Sequence, residues 1–270
     1  MNKFTFVVLI IVALVAGILI GRSNEKEIAD LTTGYVTDPL EDEADPATPE
    51  EKVEFLSLWP TISDQGDGVV IKQDGDVLRF AVIIDPNKVN ISVVQPQPEV
   101  EFLATIIDDQ EPRPLCGFSG GLFETDSLFS PAVQSLPLVE NFALTPGVMT
   151  SELPSRILYI NGSELAMSDI DGNTSVKFTQ WAITGVDPHF YAGSTNEPNR
   201  TVLALHEGNL VILVTTFITM DEIVEMLVQN GVDPNEIIAL DVGSVPKFQC
   251  YGFPYFDSST IVGSAILISP

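Results

Sequence analysis

The segment that most limits the fold is residues 200–244, RTVLALHEGNLVILVTTFITMDEIVEMLVQNGVDPNEIIALDVGS. Two apolar runs on either side of Glu-Gly-Asn predict a strand hairpin. A helix should follow, because Thr219 can cap it and Glu222, three residues later, completes a capping box. Gly231 ends this helix, and Pro234 prevents it from continuing. The segment therefore predicts a domain that combines sheet and helix.

Other segments add strands to this picture. The apolar, β-branched stretches are residues 77–85, 89–94, 101–108, 237–240 and 260–268. Residues 156–165 alternate like a hairpin around Asn161-Gly162, a pair that favours a two-residue turn. Asp241 follows the strand at 237–240. Ligand sites in α/β proteins favour the carboxyl ends of strands, so this aspartate is a candidate site residue.

The beginning of the chain predicts a membrane anchor. Residues 4–20 carry no charge, and Lys3 and Arg22 flank them. A spanning helix takes about 17–25 residues, so this stretch is just long enough. No small-x-small cleavage site follows, which favours an uncleaved anchor at residues 1–22 over a cleaved signal peptide. Lys3 would then be cytoplasmic, and the bulk of the chain would lie outside.

Residues 23–52 predict a tether between this anchor and a domain at residues 53–270. Within the tether, residues 38–51 (DPLEDEADPATPEE) combine acidic residues with prolines and offer nothing to bury. The whole chain has a formal net charge of −26. Nucleic-acid binding is therefore not expected, because it requires lysines and arginines that neutralise phosphates.

Cys116 and Cys250 are the two cysteines of the chain. Outside the cytoplasm they could form a disulfide, which would contribute on the order of 4–5 kcal/mol by the chain-entropy estimate. Two unpaired buried thiols are the alternative. No Cys/His spacing typical of zinc is present and no cofactor is predicted, although calcium bound by scattered carboxylates stays open. His189 and His206 are interpreted as structural residues.

Short motifs along the chain resemble a known family when they are taken in order. They are the strand–Asp85-Pro86–strand pattern at residues 78–94, Ser119-Gly120-Gly121 within residues 116–123, Arg200-Thr201, and Leu240-Asp241 followed by Val242-Gly243-Ser244. This order resembles the phosphodiester glycosidase family of the uncovering-enzyme type, which removes N-acetylglucosamine from a phosphodiester. Its members usually read R-T-A-I-G and L-D-G-G-G-S at the last two motifs. The resemblance, over about residues 70–252, implies an α/β (α+β) fold. That fold would be a single mixed-sheet domain of the phosphodiester glycosidase type behind one N-terminal transmembrane helix.

The resemblance also implies a site and a substrate class. Arg200 would hold the phosphate with its planar guanidinium, and Asp241 would act on water or on the sugar. Hydroxyls and backbone amides would line the substrate at Ser119, Gly120, Gly121, Thr201, Gly243 and Ser244. The partner would be a carbohydrate or a glycan phosphodiester, besides the membrane. From the residues alone, a structural ion pair at a sheet edge is the favoured role of Arg200, and a turn at the end of a strand is the alternative role of Asp241.

Two departures from the family motifs leave the activity open. Val242 occupies a glycine position, where a β-branched residue disfavours a positive φ. Ser119 replaces an asparagine that has both a donor and an acceptor. A catalytically inactive relative that binds carbohydrate or envelope components is therefore the alternative, and a purely structural anchored protein is a third. The negative net charge would also slow the approach of an anionic substrate.

Overall fold

The computed structural model describes most of the chain from residue 55 onward. The described ranges are 55–64, 68–75, 79–96, 101–121, 123–124, 133–134, 138–145, 154–170, 179–195, 199–243, 248–253 and 261–270. At residues 123–124, 133–134 and 241–243 only the backbone is described. All of these residues belong to one compact unit, Val53–Pro270. The anchor and tether that the sequence predicts lie outside the described residues. Within the described ranges, no helix has the length and apolar character needed to cross a membrane.

The described part of the chain is mostly sheet with few helices. In chain order the strands are β1 (Thr61–Asp64), β2 (Val69–Gln73), β3 (Phe80–Ile84), β4 (Asn90–Val94), β5 (Glu101–Phe102), β6 (Cys116–Ser119), β7 (Phe123–Glu124), β8 (Val133–Gln134), β9 (Leu138–Glu140), β10 (Ala143–Thr145), β11 (Ser155–Asn161), β12 (Glu164–Ile170), β13 (Trp181–Val186), β14 (Asn199–His206), β15 (Asn209–Thr215), β16 (Ile237–Gly243), β17 (Phe248–Cys250), β18 (Ile261–Val262) and β19 (Ala265–Ser269). The helices are α1 (Leu103–Asp108) and α2 (Met220–Gln229), with two short 3-10 helices, η1 (Pro188–Tyr191) and η2 (Pro234–Glu236).

Most of these strands form one large sheet. Its order is β1-β2-β3-β15-β14-β16-β13-β11-β12, with β9 paired to β13 and β10 paired to β9. Every strand pair in the described residues is antiparallel. The architecture is therefore compatible with the α+β part of the prediction. Parallel pairs, which are typical of an α/β fold, do not occur among these described strands.

A second sheet and a helix cover the two faces of the large sheet. The second sheet has the order β17-β6-β19-β4, and a buried apolar layer that includes Leu203 and Phe118 lies between the two sheets. On the opposite face, α2 packs on the large sheet through a second layer that includes Val202 and Ile223. Strands β14 and β15 are thus buried on both faces, which explains their almost unbroken apolar sequence.

The helix that the sequence predicts is confirmed as α2. The Thr219 side chain accepts a hydrogen bond from the Glu222 amide, and the Glu222 carboxylate accepts one from the Thr219 amide. Gly231 follows with φ +87°, a conformation that favours glycine at the end of a helix. The buried face consists of Met220, Ile223 and Leu227, which are spaced for one side of a helix.

Two other predicted elements differ in detail. The strand predicted at residues 101–108 is wrong, because only Glu101–Phe102 is extended and the rest is α1. Leu103, Ile106 and Ile107 are its buried residues, and their spacing is helical although their composition resembles a strand. The predicted hairpin is confirmed as β11 and β12, with Asn161 paired to Glu164. Its two-residue turn therefore begins at Gly162, one position later than predicted.

Cys116 and Cys250 form a disulfide. They lie directly opposite each other on β6 and β17, with their Cα atoms 4.0 Å apart. The bond joins positions that are 134 residues apart in sequence. The disulfide prediction is therefore confirmed over the alternative of two unpaired thiols.

Candidate functional site

The candidate site lies at the edge of the large sheet where β14 begins and β15 and β16 end. Arg200 on β14 is paired with Thr215 on β15 and with Val242 on β16. Asp241 precedes Val242, so the backbone of β16 carries the predicted carboxylate position to this edge. The pairing of β14 with β16 shifts register between Arg200 and Val202. The side chain of Asp241 and the whole of Ser244 lie outside the described residues.

Arg200 is buried against an aromatic ring. The residue is 2 % exposed, and its guanidinium carbon Cζ lies 4.5 Å from the centroid of the Tyr191 ring. Burial lowers the pKa of Arg200, and its interaction with the Tyr191 side chain opposes this shift. The nitrogens Nε and Nη1 have no hydrogen-bond partner among the described residues. A buried charge without an opposite charge is costly, so this guanidinium, with two nitrogens unpaired among the described residues, is suited to pair with an anion.

Arg156 shows what a fully paired arginine looks like in the same sheet. It is 3 % exposed, and its nitrogens donate to carboxylates of Asp169 and Asp187, both at 3.0 Å. Its Nη1 also donates to the backbone carbonyls of Pro234, at 2.6 Å, and Ile237, at 3.0 Å. All three of its nitrogens are therefore engaged. The two arginines are equally buried, but only Arg200 retains donors that the described residues do not use.

Two buried threonine hydroxyls lie on the same face of the sheet as Arg200. Thr215 is directly opposite Arg200 and is 0 % exposed. Thr184 on β13 is 1 % exposed and stands two residues before Val186, which is paired with Ala239 of β16. Neither Oγ1 atom has a hydrogen-bond partner within the described ranges. A buried unpaired hydroxyl costs about 1–3 kcal/mol, which makes two of them on one face unusual.

Ser119 and Thr201 meet on the other face. Their hydroxyls lie 3.2 Å apart within hydrogen-bond distance, and both residues are buried. Thr201 thus points toward the second sheet, whereas the preceding residue, Arg200, points toward Tyr191 and the α2 side. Consecutive residues of a strand point to opposite faces. Arg200 and the Ser119–Thr201 pair are therefore close to one edge of the sheet but lie on opposite faces of it.

The glycine motif is engaged within the chain. The amide of Gly120 donates to the Ser264 carbonyl at 2.8 Å, and the amide of Gly121 donates to Ser264 Oγ at 2.9 Å. A Cβ on Gly120 would collide with Ser264, which explains why glycine is needed there. The expectation that these two amides face a ligand is therefore not met. The backbone of Gly243 is paired with Asn199 at the start of β14.

Sequence reasoning missed Tyr191, Thr215 and Ser264. Tyr191 lies at the end of η1, and nothing in its local pattern indicates that its ring would lie on Arg200. Thr215 closes an apolar strand, and the hairpin register that places it opposite Arg200 is the one signal that could have identified it. Ser264 is 143 residues from Gly121, so its role depends on the tertiary fold alone.

Other features lie away from this edge. A cavity of about 440 Å³ is lined by residues at the opposite end of β14, including Phe55, His206 and Glu207. The rings of Phe55 and His206 stack there with centroids 4.4 Å apart. Among the described residues, no group of three or more His, Cys, Asp or Glu side chains could hold a metal ion.

Comparisons with known proteins show that the fold of this chain is distantly similar to that of a solved structure. No protein-family model matches the chain, and no curated protein sequence matches it significantly. Among solved structures, the chain is similar to the catalytic domain of zebrafish N-acetylglucosamine-1-phosphodiester alpha-N-acetylglucosaminidase, described as auto-inhibited by its pro-peptide. The TM-score is 0.53 at 13 % identity, and the alignment covers 78 % of this chain and 81 % of that one. At this identity the likeness concerns the fold.

Two further structures are more distant. A hypothetical protein from Synechocystis has a TM-score of 0.44 and 10 % identity over 78 % of this chain. This chain spans 61 % of the length of that protein. An exported-protein structure from Burkholderia pseudomallei K96243 has a TM-score of 0.43 and 9 % identity, with 75 % of this chain and 74 % of that one covered.

Proposed function

We propose that this protein is a phosphodiester glycosidase that hydrolyses sugar-1-phosphodiesters of envelope polymers or glycans. The observation that carries the proposal is the Arg200 guanidinium, buried at 2 % exposure with Nε and Nη1 unpaired among the described residues. It lies at the sheet edge to which β16 brings the backbone of Asp241. A planar cation beside a carboxylate position is what a reaction at a sugar phosphodiester requires.

The chemistry follows from these two groups. Arg200 would bind the phosphate oxygens, and the dry surroundings of its guanidinium would strengthen that attraction. Asp241 would activate water or stabilise the sugar while water attacks the anomeric carbon. The bond between that carbon and the phosphate oxygen would break, and a phosphomonoester would leave. Phosphate is a good leaving group, with a second pKa of about 6, so a strong general acid is not essential.

The fold supports the choice of substrate class. The zebrafish protein whose fold this chain resembles is named for releasing N-acetylglucosamine from a 1-phosphodiester. N-acetylglucosamine is therefore the first sugar to test. The proposal places the domain outside the cytoplasm behind the anchor predicted at residues 1–22. The disulfide between Cys116 and Cys250 supports that location, because such bonds persist in oxidising compartments.

A second candidate function is a carbohydrate-binding or envelope interaction module that has lost the chemistry. Two observations favour it. The amides of Gly120 and Gly121 are already bonded to Ser264, and Val242, which replaces a glycine of the family motif, is paired with Arg200. A site altered at both motifs could retain affinity for a glycan without turning it over.

The experiment that tests the proposal follows release of N-acetylglucosamine from a nucleotide-linked sugar by the full chain in mild detergent. We expect Asp241→Asn to lower the rate by about 100-fold or more, the range for a lost acid–base group. Arg200→Met should lower it by a similar factor, because it removes the charge that stabilises the leaving phosphate. Glu225→Gln is the matched control, since Glu225 is an exposed carboxylate on α2 and its loss should leave the rate unchanged.

The outcomes separate the two candidates. Release that disappears in Asp241→Asn but persists in Glu225→Gln establishes the glycosidase. Binding of the sugar phosphodiester without release, weakened by Arg200→Met, establishes the binding module instead. Neither release nor binding by the folded chain would refute both for this sugar.

A further inference from the structure

We propose that Thr215 is a second ligand of the oxyanion that Arg200 binds. The two side chains would form one site for the tetrahedral phosphate of the substrate. The inference rests on the proposed phosphate role of Arg200 and names a residue that no motif indicates. Thr215 lies at the end of β15, directly opposite Arg200, and both are buried almost completely.

The first step of the argument is that unpaired polar groups cluster at this edge. Nε and Nη1 of Arg200 and Oγ1 of Thr215 have no partner within the described ranges. Among the other described buried threonines, Thr184 Oγ1 is also unpaired, whereas two hydroxyls have partners. Thr179 Oγ1 donates to the Ile160 carbonyl at 3.1 Å, and Thr201 bonds with Ser119. The fold can therefore pair a buried threonine hydroxyl with a neighbouring group, as it does for Thr179 and Thr201 but not, among the described residues, for Thr215.

The second step is that valine would serve better than threonine at position 215 if packing were its only role. Valine has nearly the same shape, and it leaves no hydroxyl without a partner in the interior. The neighbouring buried positions Leu213 and Val211 on the same face are apolar. We expect the unpaired hydroxyl to lower the stability of the unliganded protein, and a bound anion would supply the partner that it lacks.

The third step is geometric. Residues directly opposite each other on antiparallel strands have Cβ atoms about 5 Å apart and point to the same face. One tetrahedral anion can therefore contact the Arg200 guanidinium and the Thr215 hydroxyl at once. The hydroxyl donates a hydrogen bond to one phosphate oxygen while the guanidinium donates to others. Thr184 is on the same face of the sheet, but β16 separates its strand, β13, from β14. The proposal does not require Thr184.

The test measures two properties of Thr215→Val in the full chain: resistance to urea, and affinity for inorganic phosphate by calorimetry. We expect resistance to urea to rise, because an unpaired hydroxyl is removed. We expect phosphate affinity to fall by about 10-fold or more, the loss typical of a hydrogen bond to a charged group. Thr215→Ser keeps the hydroxyl and should restore most of the phosphate affinity.

Thr179→Val is the matched control. It makes the same change at a buried threonine whose hydroxyl is already bonded to the chain. It should lower the resistance to urea and leave phosphate affinity unchanged. Opposite signs of the stability change at positions 179 and 215 would separate a ligand-binding hydroxyl from a structural one.

Two results would overturn the inference. One is a wild-type protein that does not bind inorganic phosphate, and the other is unchanged phosphate affinity in Thr215→Val. Loss of stability in that variant together with unchanged affinity would show that the hydroxyl is paired within the chain. Phosphate binding that depends on Thr215 without any sugar release would uphold the inference and refute the hydrolysis. Sugar release with phosphate affinity independent of Thr215 would do the reverse.

Discussion

Arg156 and Arg200 are equally buried, but their guanidinium nitrogens have different partners. Replacing Arg156 with methionine would leave the carboxylate of Asp187 and the carbonyl of Ile237 without their donor. We expect this variant to lower the free energy of unfolding by about 3–5 kcal/mol. Arg200→Met removes a charge that the described residues do not pair, so stability should be unchanged or higher. Urea unfolding of the two variants measures the contrast.

Arg156→Met and Arg200→Met are each other's control, because both replace a long buried cation with the same apolar side chain. If Arg200→Met destabilises the protein as much as Arg156→Met, Arg200 has a carboxylate partner outside the described residues. It would then be a structural ion-pair residue, and its phosphate role would be abandoned. The same measurement therefore decides between the two roles that the sequence alone leaves open for Arg200.

At the level of residues, the sequence allows some parts of the site to be predicted and hides others. The disulfide between Cys116 and Cys250 could be proposed because no other cysteine competes. The Ser119–Thr201 contact joins two motifs that the sequence singles out, although their mutual distance is not encoded locally. The contact between Tyr191 and Arg200 could not be foreseen, since it depends on how η1 folds back on the sheet. Pairings of this kind are tertiary, and no local pattern contains them.

The short helix η1 is the element that places Tyr191 over Arg200. Asp187 begins it, and one carboxylate oxygen accepts hydrogen bonds from the His189 amide and ring, both at 2.9 Å. The other oxygen pairs with Arg156 at 3.0 Å. Asp187 therefore ties η1 to the sheet, and it is a positioning residue for the ring that covers Arg200.

This arrangement predicts a pH dependence. Burial raises the pKa of Asp187, but the hydrogen bonds from His189 and the charge of Arg156 outweigh it, so that the pKa is lowered overall. The folded protein thus binds fewer protons at this site than the unfolded chain, whose pKa is about 3.9. The stabilisation by the ionised Asp187 carboxylate is complete above the unfolded pKa. It is lost as the pH falls through the lower pKa of the folded protein. Asp187→Asn lacks this titration.

The measurement is the free energy of unfolding of the wild type and of Asp187→Asn in urea between pH 7 and pH 3. We expect a constant difference in favour of the wild type from pH 7 to about pH 5, shrinking below about pH 4. A difference that is the same at pH 3 and pH 7 would show that the carboxylate charge does not hold η1.

At the level of elements, prediction succeeds when the signal is local. The sequence predicts helix α2 together with its cap, because Thr219, Glu222 and Gly231 each act within a few residues of the helix. The apolar composition of residues 101–108 predicts a strand, but residues 103–108 form a helix. This segment is helical because Leu103, Ile106 and Ile107 pack together against Leu267 and neighbouring residues. Tertiary burial decided the outcome there, and a short apolar run does not contain that information.

The core of the described domain consists of two packed sheets with a helix on the outer face of the larger one. Its antiparallel order could not be derived from the sequence, because hairpin signals fix only the neighbours that adjoin in the chain. Strands β14 and β16, separated by α2 in sequence, are paired in the sheet. That pairing brings Arg200 and the backbone of Asp241 to one edge, so the candidate site is a property of the assembled sheet.

The disulfide affects the stability of the whole domain, because it closes a loop of 134 residues that contains most of the large sheet. By the chain-entropy estimate, cross-linking a loop of this length stabilises the fold by about 5 kcal/mol. We expect the double variant Cys116→Ala/Cys250→Ala to lower the free energy of unfolding in urea by about 4–5 kcal/mol. The free energy of unfolding should also fall more steeply with urea concentration, because an unfolded chain without the cross-link exposes more surface.

Reduction of the wild type with dithiothreitol is the control for this variant, since it removes the same cross-link without changing the side-chain volume. Reduced wild type and double variant should have similar transitions, both at lower urea than the oxidised protein. If the oxidised and reduced proteins unfold at the same urea concentration, the cross-link adds nothing to the stability of the fold. The two sheets would then hold β6, and with it Ser119, in place through packing alone. The apolar layer between them includes Phe118 and Phe248, whose stacked rings have centroids 5.7 Å apart.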